Sequence, residues 1–337
     1  MGYNPSLGSF MGNTQQRWGN PNDNMAGLIR YWVGNEFDGA VYGLRMNAGE
    51  VNAIQAPKKQ RKSTLIANWA LNFARQLPAG QAIAIDTLES GMTPEVYADT
   101  FIAIMATKIM IGMKYGADRA TWPSAKEIVE DKELGPQLRL NPDFFMFAQR
   151  VTDTQHRAIE TAKTTLARLP ISIFGAAPLT GATRDMETAL KRWDKLYKGE
   201  YPEAEGVEHR IFVVDNLQQY KEFAGNSYHG LEVITNAFSG FIVDHPGSVG
   251  FLVSQVSLTS VRLSQSLETE MEARGGSRLA EECNYVFQTK YDKDNSPLFM
   301  TISTPYSRRT PPPTMRQELE PYSGAFLRLA TPVYSND

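Results

Sequence analysis

The fold is decided by one stretch of the sequence, residues 51–64, which reads VNAIQAPKKQRKST. Its first six residues lean apolar and predict a β-strand. The residues that follow, up to Lys62, are interpreted as a basic loop opened by a proline. From Ser63 to Gln76 apolar side chains recur at helical spacing. The stretch therefore predicts a strand, a loop and a helix in that order.

This order is the setting in which the phosphate-binding motif G-x-x-x-x-G-K-[ST] is expected. Lys62 and Ser63 match the motif, Ala56 departs from it mildly, and Arg61 stands where the second glycine belongs. Lys62 is expected to reach the β- and γ-phosphates of ATP, and Ser63 to bind Mg²⁺ at a helix N-terminus that favours anions. We call residues 56–63 the candidate phosphate loop. The predicted nucleotide-binding residues are six residues of this loop and the residue directly after it: Ala56, Lys59, Gln60, Arg61, Lys62, Ser63 and Thr64.

Arg61 is the main departure from the motif. A glycine at this position lets backbone N–H groups wrap the phosphates closely, and a side chain is expected to distort or crowd that arrangement. A solvated basic loop before an ordinary amphipathic helix is therefore the alternative interpretation of this segment.

Outward from this stretch, short apolar runs alternate with helical patterns, which predicts an α/β fold with a mainly parallel sheet flanked by helices. The predicted strands are residues 51–56, 82–85, 171–174, 211–214 and 249–253, and the predicted helices are residues 28–33, 63–76, 94–113, 183–197 and 231–243. Three later strands, residues 284–290, 299–304 and 326–329, follow one another without helices. An antiparallel extension is therefore expected at the C-terminal end.

The chain is expected to form one large domain. Residues 1–24 combine Gly, Asn, Pro and Gln with little apolar periodicity, which predicts a flexible arm. Residues 25–334 form the domain in this interpretation, residues 113–168 are a helical elaboration of it, and residues 335–337 are a tail. With 42% hydrophobic and 21% charged residues, the chain of 337 residues has globular composition, so disordered and fibrous classes are excluded.

Composition also limits the partners and the location. The longest apolar run, residues 101–113, is too short to span a bilayer, and the N-terminus lacks the pattern of a signal peptide. We therefore expect a cytoplasmic protein without membrane contact. The net charge of −3 means that any nucleic-acid contact must come from local basic clusters. One cysteine forbids an intrachain disulfide, and four scattered histidines offer no metal-ligand spacing.

Polar side chains follow three more of the predicted strands. Asp215 closes the most apolar strand and is expected to hold the Mg²⁺ hydration shell, although such an Asp is often only a turn former. Glu89 follows residues 82–85 and could polarise an attacking water, and Gln255 could sense the γ-phosphate. Because the carboxyl ends of parallel strands share one edge, these residues are expected to meet Lys62 and Ser63 there.

The order of these elements resembles the RecA-type ATPase domain of the DnaB replicative helicases, over roughly residues 25–334. The matching segments are residues 43–50, 62–64, 88–89, 171–174 with 179–180, 214–218, 253–256, 276–277 and the closing strand near Phe326. The resemblance implies a RecA-like fold and a ring or filament of identical subunits with ATP between them. It also implies single-stranded DNA as a partner, together with replication or recombination proteins.

The resemblance also implies roles for particular residues. Glu89 would be the catalytic carboxylate, and Arg308 is the best match for an arginine supplied in trans. The alternative for Arg308 is a solvated basic turn. Two loops, residues 220–230 and 258–278, would face the DNA, and the second contains three arginines: Arg262, Arg274 and Arg278. The glutamates of that loop favour the alternative of a charged surface loop.

Two functional hypotheses follow. The first is a DnaB/RecA-type ATPase that assembles on single-stranded DNA and couples ATP hydrolysis to helicase or recombination-type remodelling. The alternative is a catalytically weak or inactive relative that keeps the fold and acts as a structural or DNA-binding subunit. Arg61 is the residue that discriminates between them.

Overall fold

The structure is a computed structural model that describes residues 30–32, 45–88, 92–141, 151–175, 185–223, 227–255, 279, 281–308 and 314–330. The strands are β1 (Arg30–Trp32), β2 (Arg45–Asn47), β3 (Val51–Ala56), β4 (Gln81–Thr87), β5 (Ile171–Gly175), β6 (Glu208–Asp215), β7 (Val249–Gln255), β8 (Tyr285–Tyr291), β9 (Phe299–Ser307), β10 (Met315–Leu319) and β11 (Phe326–Ala330). The α-helices are α1 (Lys62–Ala74), α2 (Pro94–Tyr115), α3 (Ala125–Glu130), α4 (Asp153–Leu166), α5 (Met186–Lys198) and α6 (Ser227–Asp244).

A nine-stranded mixed sheet organises the molecule, in the order β11-β10-β9-β8-β3-β7-β6-β4-β5. The six strands from β8 to β5 pair in parallel, and β9, β10 and β11 continue the sheet in antiparallel pairs. The predicted α/β fold with a mainly parallel sheet and an antiparallel C-terminal extension is confirmed. Strand β3, which leads into the candidate phosphate loop, lies near the middle of the sheet.

The C-terminal strands differ from the prediction in two respects. Strand β8 belongs to the parallel part, because it pairs with β3 in parallel. The chain between β7 and β8 spans residues 256–284, which is long enough for the crossover that parallel pairing requires. Strand β10 was not predicted, since only its end residues Met315 and Leu319 are apolar, yet Gln317 and Glu318 are buried between its neighbours.

The helix predicted over residues 28–33 is wrong where the structure describes it. Residues 30–32 form β1, which pairs antiparallel with β2. A window of six residues is too short for its periodicity to separate a helix from a strand, so the pairing with β2 decides the conformation.

Helices cover both faces of the sheet, as a parallel sheet requires. On one face Trp69 of α1 packs edge-on against Phe287, with ring centroids 5.1 Å apart. On the other face Trp193 of α5 packs against Phe238 of α6 at 5.2 Å. Strand β3 contributes to the apolar clusters on both faces of the sheet. Ile54 belongs to the cluster that contains Trp69, and Ala53 belongs to the cluster that contains Trp193.

Helix α2 is the longest described helix. It begins at Pro94 after Thr93, whose side chain accepts a hydrogen bond from the backbone N–H of Val96. With 22 residues it extends beyond the apolar run judged too short to span a bilayer, and by length and composition alone it would be able to cross one. Ten of its residues are buried, and most belong to the core that α1 and the sheet also form. Burial in the protein accounts for its apolar character.

The described part of residues 113–168 packs on the main core and forms no core of its own. Trp122, Ile128 and Leu138 belong to the same cluster as α1 and α2. Helices α3 and α4 both begin with capping boxes, which fix their starts. The backbone N–H of Ala125 donates to Glu318 of β10 at 2.9 Å and ties α3 to the antiparallel strands. The predicted arm, residues 1–24, and tail, residues 335–337, lie outside the described residues.

Candidate functional site

Four parallel strands bring their carboxyl ends together at one edge of the sheet. Ala56, at the end of β3, pairs with Gln255 at the end of β7. Asp215, at the end of β6, pairs with Thr87 at the end of β4. Glu89 lies outside the described residues, and the preceding residue, Leu88, donates its backbone N–H to the carbonyl oxygen of Asp215 at 2.7 Å.

Ser63 and Asp215 are in direct contact. The Ser63 hydroxyl donates a hydrogen bond to Oδ2 of Asp215 at 2.6 Å. The Tyr97 hydroxyl donates to the same carboxylate oxygen. Asp215 is 1% exposed. The sequence carries no signal for this role of Tyr97, because Tyr97 lies in the first turn of α2 and nothing local distinguishes it from a core tyrosine.

Lys62 folds back over the candidate phosphate loop. Its ammonium group donates to the carbonyl oxygens of Ala56 at 2.9 Å and of Pro57 at 3.0 Å. The lysine of the motif thus lies across the mouth of the loop, at the N-terminus of α1, where positive charge and helix dipole both favour an anion.

Arg61 adopts a left-handed backbone conformation, which glycine takes without strain. Its φ of 57° and ψ of 33° are left-handed, and Lys59 also has a positive φ of 66°. The Arg61 side chain points away from the loop. Its guanidinium donates to the Tyr291 hydroxyl at 3.1 Å and to the Pro321 carbonyl oxygen, and it lies 4.3 Å from the centre of the Tyr291 ring. The crowding expected of an arginine at this position is therefore avoided.

Strand β8 and the turn before β11 contact the outer side of the candidate phosphate loop and the start of α1. The carbonyl oxygen of Gln60 accepts a hydrogen bond from the Thr289 hydroxyl at 2.9 Å, and its side-chain oxygen accepts from the backbone N–H of Tyr291. Thr64 lies against Gly324, where an added Cβ would come within 2.4 Å of the Thr64 methyl group. These contacts fix the loop against β8 and the turn before β11.

A cleft of about 910 Å³ opens beside the loop. It is bordered by α3, β8 and the turn before β11, and it carries four basic side chains against one acidic one, together with two tyrosines. Its lining residues include Lys59, Arg61, Lys126, Lys293, Glu130, Tyr291 and Tyr322. The cleft has the charge and the flat apolar surfaces that suit an anionic, aromatic ligand.

A buried ion pair lies at the same edge on the opposite face. Asp86, 1% exposed, accepts hydrogen bonds from the Arg192 guanidinium and from the Trp193 ring N–H at 2.7 Å. Burial raises the pKa of Asp86, and Arg192 partly offsets that effect. The pair joins β4 to α5. The sequence alone does not reveal this pair, since the face that Asp86 occupies follows from the strand alternation only once the pairing is known.

Arg308 lies far from this site. It follows the last residue of β9, Ser307, which pairs with Tyr285, and Tyr285 in turn pairs with Asn52 near the start of β3. Arg308 is exposed and lies at the amino edge of the parallel strands, opposite Lys62. It therefore does not complete the site of its own chain. Three predicted DNA-contacting residues lie outside the described residues: Arg262, Arg274 and Arg278.

Among the described residues, no group of three or more His, Cys, Asp or Glu side chains is arranged to hold a metal ion by itself. The hydroxyl of Ser63 and the carboxylate of Asp215 are hard oxygen donors of the type that Mg²⁺ takes when phosphates supply further ligands. The residues present therefore fit a magnesium ion that arrives with a nucleotide.

The sheet order and the loop between β3 and α1 define a RecA-like α/β domain. The solved ATPase domain of one DnaB-like helicase matches 97% of this chain and 100% of its own, with a TM-score of 0.67 and 14% sequence identity. A DnaB-like replicative helicase, described with its interactions with primase, matches 97% of this chain and 68% of its own, with a TM-score of 0.66 and 13% identity. No protein-family model and no curated protein matches the sequence. The resemblance to DnaB-type ATPase domains is confirmed for the fold.

Proposed function

We propose that this protein is an ATPase that binds Mg²⁺-ATP at the candidate phosphate loop. One observation carries the proposal: the Ser63 hydroxyl and the Asp215 carboxylate, from two separate strand-to-helix connections, meet at 2.6 Å beside Lys62. A serine of the loop and an acidic residue at the end of another strand are the pair that holds Mg²⁺ in phosphate-binding loop enzymes. The direction of the Arg61 side chain supports the proposal, because it leaves the inside of the loop to the phosphates.

Each residue has a distinct role in this proposal. Lys62 would exchange its two carbonyl partners for phosphate oxygens, and Ser63 with Asp215 would hold Mg²⁺. The ion would neutralise charge on the phosphates. Glu89 would accept the proton of the attacking water, and Gln255 would contact the γ-phosphate or that water. The base and ribose would occupy the cleft that Tyr291 and Tyr322 help to line.

The wider proposal is a homo-oligomer on single-stranded DNA. Arg308 lies at the edge opposite Lys62, so an arginine from a neighbouring subunit would be needed to stabilise the transferred phosphoryl group. Arg262, Arg274 and Arg278 would bind DNA phosphates, a contact that weakens as salt concentration rises. ATP hydrolysis would drive helicase or recombination-type remodelling in the cytoplasm, with replication or recombination proteins as further partners.

Nucleotide titration of the purified protein tests the binding step. The parent protein should bind Mg²⁺-ATP, and Lys62→Ala should lose at least tenfold in affinity, about 1.4 kcal/mol. Lys58→Ala is the matched control, because Lys58 is an exposed lysine of the same loop and should bind like the parent. Inorganic tripolyphosphate should bind more weakly than ATP if the cleft holds the base. Absence of binding by the parent would contradict the proposal and favour a structural relative.

Turnover measured with and without single-stranded DNA tests the chemical step. Glu89→Gln should still bind Mg²⁺-ATP but lose hydrolysis by at least about a hundredfold, since it removes only the group that activates water. Single-stranded DNA should stimulate the parent. Equal turnover in Glu89→Gln and the parent would remove Glu89 from the mechanism, and binding without turnover by the parent would identify a catalytically inactive relative.

A further inference from the structure

Gln218 bridges the ends of two neighbouring strands of the candidate site. It lies in the 3-10 turn Leu217–Gln219, which follows Asp215 at the end of β6. Leu217 is fully buried, and the backbone N–H of Tyr220 donates to its carbonyl oxygen at 3.3 Å. The turn is thereby anchored in the core, so the Gln218 side chain starts from a fixed point.

Its carboxamide makes three hydrogen bonds to the end of β7. Nε2 donates to the Ser254 hydroxyl at 2.7 Å and to the Gln255 carbonyl oxygen at 3.1 Å. Oε1 accepts a hydrogen bond from the backbone N–H of Gln255 at 3.1 Å. The side chain of Gln218 thus donates to and accepts from the same peptide segment, as a neighbouring strand would.

This arrangement has a structural reason. Strands β6 and β7 pair in parallel up to Asp215 and Val253, where β6 ends. Strand β7 continues for two more residues, and Gln255 keeps Ala56 of β3 as its partner on the other side. The carboxamide of Gln218 takes the place of the missing β6 peptide group and extends the ladder to the last residue of β7.

We infer that Gln218 is a positioning residue that fixes Gln255 relative to Asp215 and the candidate phosphate loop. This inference rests on the proposed function. Without the carboxamide, the end of β7 keeps its pairing with β3 only, so the Gln255 side chain loses its fixed position beside the reacting phosphate. Because a displacement of about 1 Å costs about a hundredfold in rate, turnover is expected to depend on Gln218. Nucleotide affinity depends on Lys62 and Ser63 and is not expected to change.

Steady-state kinetics of Gln218→Met tests the inference, since methionine keeps the length but loses all three hydrogen bonds. We expect kcat to fall about tenfold or more while KM for ATP stays within about twofold. Gln219→Met is the matched control, the same substitution at the next position of the turn, and should resemble the parent. In a Gln255→Ala background, Gln218→Met should have no further effect, because the two residues act as one unit.

Amide hydrogen exchange gives a readout that needs no turnover. In Gln218→Met the backbone N–H of Gln255 should exchange about tenfold faster than in the parent. Unchanged exchange, a Gln218→Met enzyme with parental kcat, or additive effects with Gln255→Ala would each overturn the inference. A parent protein without turnover would contradict the proposed function, and it would also contradict the catalytic part of this inference. Exchange at Gln255 would still decide whether Gln218 holds β7.

Discussion

Arg61 combines a strained backbone with favourable side-chain contacts. A left-handed conformation costs a residue with a Cβ about 1 kcal/mol, which glycine does not incur. The guanidinium contacts with Tyr291 and Pro321 compensate for that cost. An arginine is thus tolerated where the motif has glycine, because its side chain has partners outside the loop.

The first prediction compares two replacements of Arg61. Arg61→Ala should lower the free energy of unfolding by about 2 kcal/mol, because it loses the contacts and keeps the strain. Arg61→Gly should lower it by about 1 kcal/mol, because the strain is relieved. Urea denaturation followed by circular dichroism measures both. Nucleotide affinity should be retained in Arg61→Gly, and a glycine variant less stable than the alanine variant would contradict this account.

The second prediction concerns Glu320, which is fully buried in the turn between β10 and β11. Burial raises its pKa from 4.5 to about 7, although hydrogen bonds from Ser323 and Tyr322 and the nearby charge of Arg61 lower it. Between these pH values the folded chain binds more protons than the unfolded chain. The free energy of unfolding should therefore fall as pH rises through this window, by about 3 kcal/mol at most.

Glu320→Gln isolates this contribution, since the amide does not titrate. The difference in unfolding free energy between Glu320→Gln and the parent should shift in favour of the variant as pH rises from 4.5 to about 7, and it should be constant below pH 4.5. Denaturant titrations at several pH values measure it. A difference that does not change with pH would show that Glu320 has an ordinary pKa.

The buried side chain of Asn68 connects helix α1 to the turn before β11 and to β11 itself. Asn68 donates to the carbonyl oxygens of Thr64 at 2.9 Å and Gly324 at 3.0 Å. Its oxygen accepts from the backbone N–H of Phe326 at 3.0 Å and from the Lys108 ammonium at 3.2 Å. Burial lowers the pKa of Lys108 well below its ordinary value. Asn68 therefore supplies hydrogen-bond partners to the backbone groups of Gly324 and Phe326 and to the Lys108 ammonium, from two other elements.

The third prediction follows from this arrangement. Asn68→Ala should lower the free energy of unfolding by about 3 kcal/mol, because it leaves buried donors and acceptors unsatisfied and creates a small cavity. Asn72→Ala, one turn further along α1 at a half-buried position, is the control and should change stability by less than about 1 kcal/mol. Equal losses in the two variants would mean that the Asn68 network contributes nothing beyond an ordinary helix position.

The length of the parallel strands separates Lys62 from Arg308. The two residues lie at opposite edges of the parallel strands, so in the proposed oligomer Arg308 would act on the site of another subunit. The fourth prediction uses this separation. Lys62→Ala and Arg308→Ala should each lose turnover, and a mixture of equal amounts, assembled together, should regain about a quarter of the parental activity, because one interface in four joins two intact half-sites.

Sedimentation with Mg²⁺-ATP should show self-association of both single variants, which separates loss of catalysis from loss of assembly. Arg309→Ala serves as a comparison, since Arg309 is the next residue along the chain and also an arginine. A mixture that stays inactive, although both variants assemble, would contradict a contribution of Arg308 in trans. A parent protein that remains monomeric under all nucleotide and DNA conditions would contradict the shared site itself.

The local order of residues predicted most of the described elements and the edge at which Lys62, Ser63 and Asp215 meet. The run at residues 51–56, the basic loop and the helical spacing that follows predicted β3, the loop and α1. Apolar runs that end in Asp215 and Gln255 placed both residues at the same edge, because parallel strands share their direction. Such features depend on periodicities of a few residues, so the sequence alone is enough to predict them.

Tertiary structure decided what depends on contacts between distant segments. The direction of the Arg61 side chain is set by Tyr291 and Pro321, more than two hundred residues away along the chain. Likewise Tyr97 reaches Asp215, and Gln218 replaces a missing strand partner of β7, only because the sheet order brings them together. Side-chain orientation and hydrogen-bond partners are selected by packing over long sequence separations. No local pattern encodes them. By its sequence alone the candidate phosphate loop could be crowded or open, and its contacts with β8 and the turn before β11 decide between the two.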